Sequence, residues 1–381
     1  MLLDISIDSF LPPYQRSFNL KKYSLGVNQY FPDCFYKNSR IIEEDFSLDI
    51  IDLSYSTART LCSYHLTDKE LYFDVLASML SHLNFIDSTT SNFLLSESRY
   101  KRLRDFSKNT RIGEMAQGVN ALFVAKRLDF PYIIDFDLAK EKTINTLGIQ
   151  SSGKTPDFVV LNRTGDKIGL FESKGTMTGT ESGKYGFLSD AMEQIDAVER
   201  PCFDYALPVC TKFENNNDHS PLPLPTDIKS SINYALIEKK CAERKDTALL
   251  IKLHYASWFY LVGDFDRVTS ILNEGIITPI QDENDPIYEL DTETDKNNPI
   301  YWVERPMRLL LFAEEYGSAF RLFITSRYFR RGEFKIGIYK KVIESLIKTN
   351  DTNTILQLPD GEIEYLKKYP DGTLLYIKPN K

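Results

Sequence analysis

Between Thr110 and about Leu128, apolar residues Ile112, Met115, Ala116, Val119, Leu122 and Phe123 recur on one side of a 3.6-residue period, which predicts an amphipathic helix capped by Thr110. Glu114 lies off that stripe, in line with Gly118, Ala121 and Ala125. A row of small residues lets another backbone approach closely, so Glu114 is expected to face protein. Short apolar runs follow: YIIDFD from Tyr132, TPDFVVLN, and KIGLFESKG after an RTGD turn, each reading as a strand. A second helix fits Gly186 to Arg200, with Leu188, Ala191, Met192, Ile195 and Val198 on one side, and FDYALPVCTKF closes the block as a fourth strand. The predicted order is helix, three strands, helix, strand.

The flanks are less regular. Residues 1–98 read as an N-terminal mixed accessory region whose clearest element starts at Thr67. There T-D-K-E forms a capping box with Glu70, followed by Leu71, Val75, Leu76, Met79, Leu80 and Leu83 at helical spacing. Residues 99–214 hold the block described above, and NNNDHSPLPLPTD after it reads as a linker or long loop. Residues 227–381 form the C-terminal region, mainly helical from Asp227 to Gly263, with HYASWFYLVGDF around Trp258 as a core helix. The acidic run QDENDPIYELDTETDKNNP reads as a solvated loop, and two Pro-Asp-Gly turns between alternating apolar segments predict a terminal β-meander.

Composition narrows the class. With 42% hydrophobic and 26% charged residues the 381-residue chain reads as an ordinary soluble globular protein. The net charge of -8 means that any nucleic-acid contact must be a local basic surface on an acidic body. No apolar stretch is long enough for a membrane span, and the opening MLLDISIDSFLPPYQ lacks the basic lead of a signal peptide, so a cytoplasmic address is expected. Five scattered cysteines (Cys34, Cys62, Cys202, Cys210, Cys241) and four isolated histidines (His65, His82, His219, His254) show no zinc-type spacing.

The hairpin carries the chemistry. If Asn162 pairs with Lys167 across an even-length turn, Asp157 falls opposite Glu172 and Thr155 opposite Lys174. Alternation puts Glu172 and Lys174 on one face and turns Ser173 away. Two carboxylates held this close repel unless a cation compensates. Mg²⁺ or Mn²⁺ suits such oxygen donors, polarises a phosphoryl oxygen and lowers the pKa of bound water. Lys174 can orient that water or stabilise developing charge. The plain alternative is a salt-bridged strand pair.

The block resembles the PD-(D/E)xK, or restriction-endonuclease-like, nuclease superfamily. Pro156-Asp157 and Glu172-Ser173-Lys174 carry the resemblance, over under a third of the chain. It implies an α/β αβββαβ core and a metal-dependent nuclease, acting on DNA, with Mg²⁺ or Mn²⁺ as cofactor. It further implies Asp157 and Glu172 as metal ligands, assisted by the Ser173 carbonyl, and Lys174 as catalytic. Glu114 matches the acidic residue that many members place on the preceding helix as a further ligand, and Gln194 a glutamine found near the site in several branches. Genome defence or repair is the family-level expectation.

Basic residues would hold the substrate. Arg99, Lys101, Arg102, Arg104, Lys108 and Arg111 lead into the helix bearing Glu114, and Lys154 adjoins the hairpin; phosphate neutralisation there is what a nuclease needs. A second cluster, Arg327, Arg330, Arg331, Lys335, Lys340 and Lys341, interleaves with aromatics and could grip substrate or a partner. Gly148 to Thr155, GIQSSGKT, fits the phosphate-loop pattern GxxxxGK[ST], but a strand rather than a helix is predicted after its lysine, which disfavours nucleotide binding. The remaining rival is a non-catalytic binding or assembly subunit that keeps the nuclease fold. Homo-oligomerisation or a protein partner through the flanks is left open.

Overall fold

A computed structural model describes residues 15–23, 39–40, 45–64, 82–87, 90–143, 147–151, 153–177, 181–199, 203–216, 228–238, 247–281, 287–303, 332–348, 361–363 and 366–379, with single positions 66, 71, 72, 75, 285 and 358. The chain divides into two compact units, one covering Leu11–Leu250 and the other including Ile251–Lys381. The protein is a mixed α/β fold.

The first unit begins with β1 (Gln15–Tyr23), β2 (Asp45–Asp49) and α1 (Ile50–Tyr64). Then come α2 (Asp105–Lys126), β3 (Tyr132–Asp135), α3 (Phe136–Lys142), β4 (Phe158–Leu161), β5 (Ile168–Thr176), α4 (Glu181–Asp196), β6 (Tyr205–Lys212) and β7 (Ser231–Tyr234). They share one sheet, ordered Ser39–Arg40, β1, β7, β6, β5, β4, β3, with β2 also on β1 and Ile237–Glu238 on β6. β3, β4 and β5 run antiparallel in sequence, whereas β6 joins β5 in parallel. A parallel neighbour requires a crossover, and α4 supplies it.

The block from α2 to β6 thus follows the predicted order of elements, with α3 as an added short helix. Its boundaries moved for physical reasons. α2 starts five residues before Thr110, because Asn109 and Thr110 face solvent and carry no apolar signal. α4 spans Glu181–Asp196 rather than 186–200, since Val198–Glu199 leaves the helix to pair with Gln150–Ser151. The helix expected from Asp227 gives way to β7, whose four residues are all buried between β1 and β6. Short apolar runs fit either state, and here the strand partners decide.

That pairing also changes the division expected at 98 and 214–227. β1, β2 and β7 extend the central sheet, so the N-terminal region is built into the same unit as the block. α1 packs along α2. The row of small residues on α2 explains how: a Cβ at Gly118 would collide with Thr57 Oγ1 and stand 3.0 Å from Leu53 Cδ1. Gly118→Ala should therefore lower stability by about 1–3 kcal/mol in urea unfolding, overpacking outweighing the better helix propensity of alanine. Unchanged or raised stability would show that α1 and α2 do not meet this closely.

The second unit holds α5 (Ala248–Leu261), α6 (Phe265–Glu274), β8 (Tyr288–Asp291), β9 (Ile300–Val303), β10 (Gly332–Tyr339), α7 (Lys340–Lys348), β11 (Gly361–Ile363), β12 (Leu366–Lys368) and β13 (Thr373–Pro379). Its sheet is antiparallel, ordered β8-β9-β10-β13-β12-β11. The last three strands form a meander, and Gly372 at φ +78° closes the Pro370-Asp371-Gly372 turn between β12 and β13. Trp258 is fully buried on α5, as a core helix requires. The acidic run is not loop throughout: Tyr288–Asp291 alternates apolar and polar and pairs with β9. Most of the expected helix from Thr67, along with Cys34, Cys202, Cys241, His65, His219, Arg327, Arg330 and Arg331, lies outside the described residues. Among those described, no helix is long and apolar enough to cross a membrane.

Candidate active site on the β4–β5 hairpin

The register is the one that turn arithmetic predicts. Phe158 pairs with Phe171 and Leu161 with Ile168, and the Asn162 N–H donates to the Lys167 carbonyl at 3.1 Å. One step beyond the ladder, Asp157 meets Glu172. Their side chains replace the ladder bonds: the Asp157 N–H donates to Glu172 Oε2 (2.8 Å), and the Ser173 N–H donates to Asp157 Oδ2 (3.0 Å). The pair is therefore locked by backbone as well as by facing positions.

Lys174 and Gln194 complete the cluster. Lys174 Nζ lies 2.5 Å from Glu172 Oε1, with Glu172 only 1% exposed and Lys174 24%. Gln194 projects from α4, and its partners assign the amide orientation: the oxygen accepts from Lys174 Nζ (2.6 Å) and the nitrogen donates to Glu172 Oε1 (3.0 Å) and the Thr155 carbonyl (3.1 Å). Alternation along β5 turns Ser173 the other way, onto α2, where Asn120 Nδ2 donates to its Oγ (2.8 Å). β5 thus has a helix on each face, and the acid–lysine pair addresses α4.

Burial sets the electrostatics. It pushes the Glu172 carboxyl up to about 7, with the Asp157 charge adding and Lys174 opposing. Asp157 is raised too, chiefly by burial, against the pull of the Ser173 N–H and Lys174. Asp135, at the end of β3, accepts from the Leu138 N–H as N-cap of α3, yet burial carries it to about 6, with Asp137 and Asp157 contributing. Asp135, Asp137 and Asp157 line one cleft of ≈ 320 Å³ with Gln117 and Thr155. No motif in the sequence marks Asp135, Asp137, Gln117 or Asn120. The residue-type signal was present in YIIDFD for the two aspartates, but nothing local ties them to Asp157.

No family model, curated protein or solved structure matches this chain.

Glu114 has other company. His82 Nε2 and Arg111 Nη1 each lie 3.0 Å from its Oε2. Burial would raise its pKa, but these two partners outweigh it and leave the carboxyl below the usual range. Among the described residues no three His, Cys, Asp or Glu side chains form a metal-holding group, so Glu114 does not complete one with Asp157 and Glu172. The donor set that remains still fits a hard divalent cation in kind. Two buried carboxylates repel each other, which is the situation such a cation relieves.

Of the basic residues, Arg99, Lys101, Arg102 and Arg104 are exposed, around the one-turn helix Glu97–Tyr100 and the start of α2. Lys101 pairs with Glu97 at 2.5 Å, Lys108 lies over the Tyr100 ring at 5.8 Å, and Arg111 is tied to Glu114. Lys154 is exposed. In the second cluster Lys335 reaches Glu289 (3.8 Å), Lys340 lies over Tyr301 (5.5 Å) and Lys341 donates to Asn298 (2.9 Å). No helix follows Lys154: Gln150–Ser151 is strand, and β4 opens at Phe158. The helix that a phosphate loop needs at its lysine is thus missing at Lys154.

Proposed function

We propose that this protein is a divalent-metal-dependent nuclease that hydrolyses phosphodiester bonds in DNA, on a restriction-endonuclease-like core. One observation carries the reading: Asp157, Glu172, Lys174 and Gln194 meet at the end of the β4–β5 hairpin, each held by a named hydrogen bond. The order α2, β3, β4, β5, α4, β6, with the short α3 between β3 and β4 and with β6 parallel to β5, supports the reading.

Asp157 and Glu172 would hold Mg²⁺ or Mn²⁺, which supplies charge neutralisation at the phosphoryl oxygen and a more acidic water. The protein's own groups do the rest. Lys174, partly exposed and steered by Gln194, presents an ammonium that orients the attacking water and stabilises charge as the phosphorus centre becomes five-coordinate. Arg99, Lys101, Arg102, Arg104, Lys108, Arg111 and Lys154 neutralise backbone phosphates, a sequence-independent contribution that falls with salt. A role in genome defence or repair belongs to the same reading.

The test is cleavage of plasmid, linear duplex and single-stranded DNA, with RNA alongside, by purified protein in Mg²⁺ or Mn²⁺. Cutting is expected with either metal, and none with EDTA or in Asp157→Asn. Metal-independent cutting, or activity retained in Asp157→Asn, would overturn the assignment. A second reading, a non-catalytic binding or assembly subunit, draws on the engagement of Glu172 Oε1 by both Lys174 and Gln194. It predicts nucleic-acid binding with neither cleavage nor Asp157-dependent binding of Mn²⁺.

A further inference from the structure

Asn120 is a fully buried polar residue on α2, beside its apolar stripe. A buried amide among aliphatic neighbours costs stability unless its donors and acceptor are all used, so such a residue calls for a specific reason. Here the bonds converge on one place. Nδ2 donates to Ser173 Oγ (2.8 Å) and to the Lys174 carbonyl (3.2 Å), and reaches the Val209 carbonyl of β6 at 3.5 Å. Oδ1 accepts from Thr211 Oγ1 (2.6 Å), itself fully buried on β6.

Ser173 is thereby gripped from two sides, its hydroxyl by Asn120 and its backbone N–H by Asp157 Oδ2. Ser173 is also the residue between Glu172 and Lys174. The close approach that lets Asn120 reach it depends on Gly175. A Cβ there would stand 2.5 Å from Ala116 Cβ and 2.8 Å from the Ile112 carbonyl. Ile112, Ala116 and Asn120 are spaced four residues apart, so one row of α2 lies against the end of β5.

We infer that Asn120, its amide oriented by Thr211, is a positioning residue for Lys174: it fixes the Ser173–Lys174 backbone so that the ammonium stays aimed between Glu172 and Gln194. This rests on the nuclease reading. Asn120 touches neither substrate nor metal. Its effect is expected in turnover, because small misplacements of a catalytic group cost rate far more than binding.

Thr211→Val and Thr211→Ser separate positioning from packing. Valine keeps the shape but removes the hydroxyl that orients the amide; serine keeps the hydroxyl. Cleavage should be normalised to the number of Mn²⁺ sites per chain, counted by electron paramagnetic resonance, so that a smaller folded fraction does not count as slower chemistry. Expected for Thr211→Val is a kcat per site lower by on the order of tenfold, with KM for DNA and the Mn²⁺ Kd within about twofold. Thr211→Ser should recover wild-type kcat. Asn120→Ala should show the same split with a larger loss per site. Wild-type kcat per site in Thr211→Val, or a loss shared equally by Thr211→Ser, overturns the positioning role while leaving the nuclease reading intact. Wild-type protein that neither cuts nor binds Mn²⁺ overturns the nuclease reading, and this inference with it.

Discussion

Lys174→Ala is expected to cut DNA slower by on the order of a thousandfold while still binding Mn²⁺, whereas Asp157→Ala should lose both cutting and metal. The two residues fail differently because they contact different things. Asp157 offers a carboxylate whose Oδ2 also anchors the Ser173 N–H, so alanine removes a donor and loosens the strand end. Lys174 holds Glu172 Oε1 at 2.5 Å and is held in turn by Gln194. Alanine there leaves both carboxylates in place, closer to uncompensated, and metal binding should persist or tighten. Gln194→Ala should fall between, since Lys174 keeps its ion pair but loses its second anchor. The checks are single-turnover cleavage and Mn²⁺ binding on the same preparations. Lys174→Ala that cuts at near wild-type rate would remove Lys174 from the chemistry, and parallel loss of metal in both variants would make it structural.

The hairpin was legible in the sequence because its information is local. A four-residue RTGD turn between two short apolar runs fixes the register, and the register fixes that Asp157 meets Glu172. Gln194 was marked only by the resemblance, since helical spacing on α4 singles out Leu188, Ala191, Met192 and Ile195 instead. Asn120 was not legible, since an asparagine inside an amphipathic helix gives no sign of the strand it meets, and Gly175 matters only once α2 is seen lying on β5. Asp135 was hidden in the same way: its place beside Asp157 comes from β3 pairing with β4. Glu114 was rightly placed against protein, but its partner His82 lies 32 residues earlier in chain and had no motif to announce it. β7 was misread as helix for the complementary reason. Its four buried residues owe their conformation to β1, more than two hundred residues earlier.

Stability of the metal-free protein should fall as pH rises from 5 to 8. Glu172 has its carboxyl raised from 4.5 to about 7 by burial and by Asp157, so the folded state holds that proton more tightly than the unfolded state. Below about 4.5 both states are protonated and the group contributes no pH dependence. Between there and about 7 the unfolded state releases the proton first and stability drops, with no further change above. Asp135, raised from 3.8 to about 6, acts with the same sign from a slightly lower pH. Asp291 works oppositely: held at about 2, it destabilises the fold only as pH falls below its unfolded value of 3.8, outside the window. A divalent cation binding the ionised pair should reverse the loss, so Mg²⁺ or Mn²⁺ should raise the melting temperature strongly at pH 8 and hardly at pH 5. Asp157→Asn removes the repelling charge and should abolish the metal response while only lessening the pH slope, whose larger cause is burial. Urea titrations across this range, with and without metal, decide it. A metal-free protein as stable at pH 8 as at pH 5, or a metal response equal at both, would mean that Glu172 and Asp157 do not share a buried site.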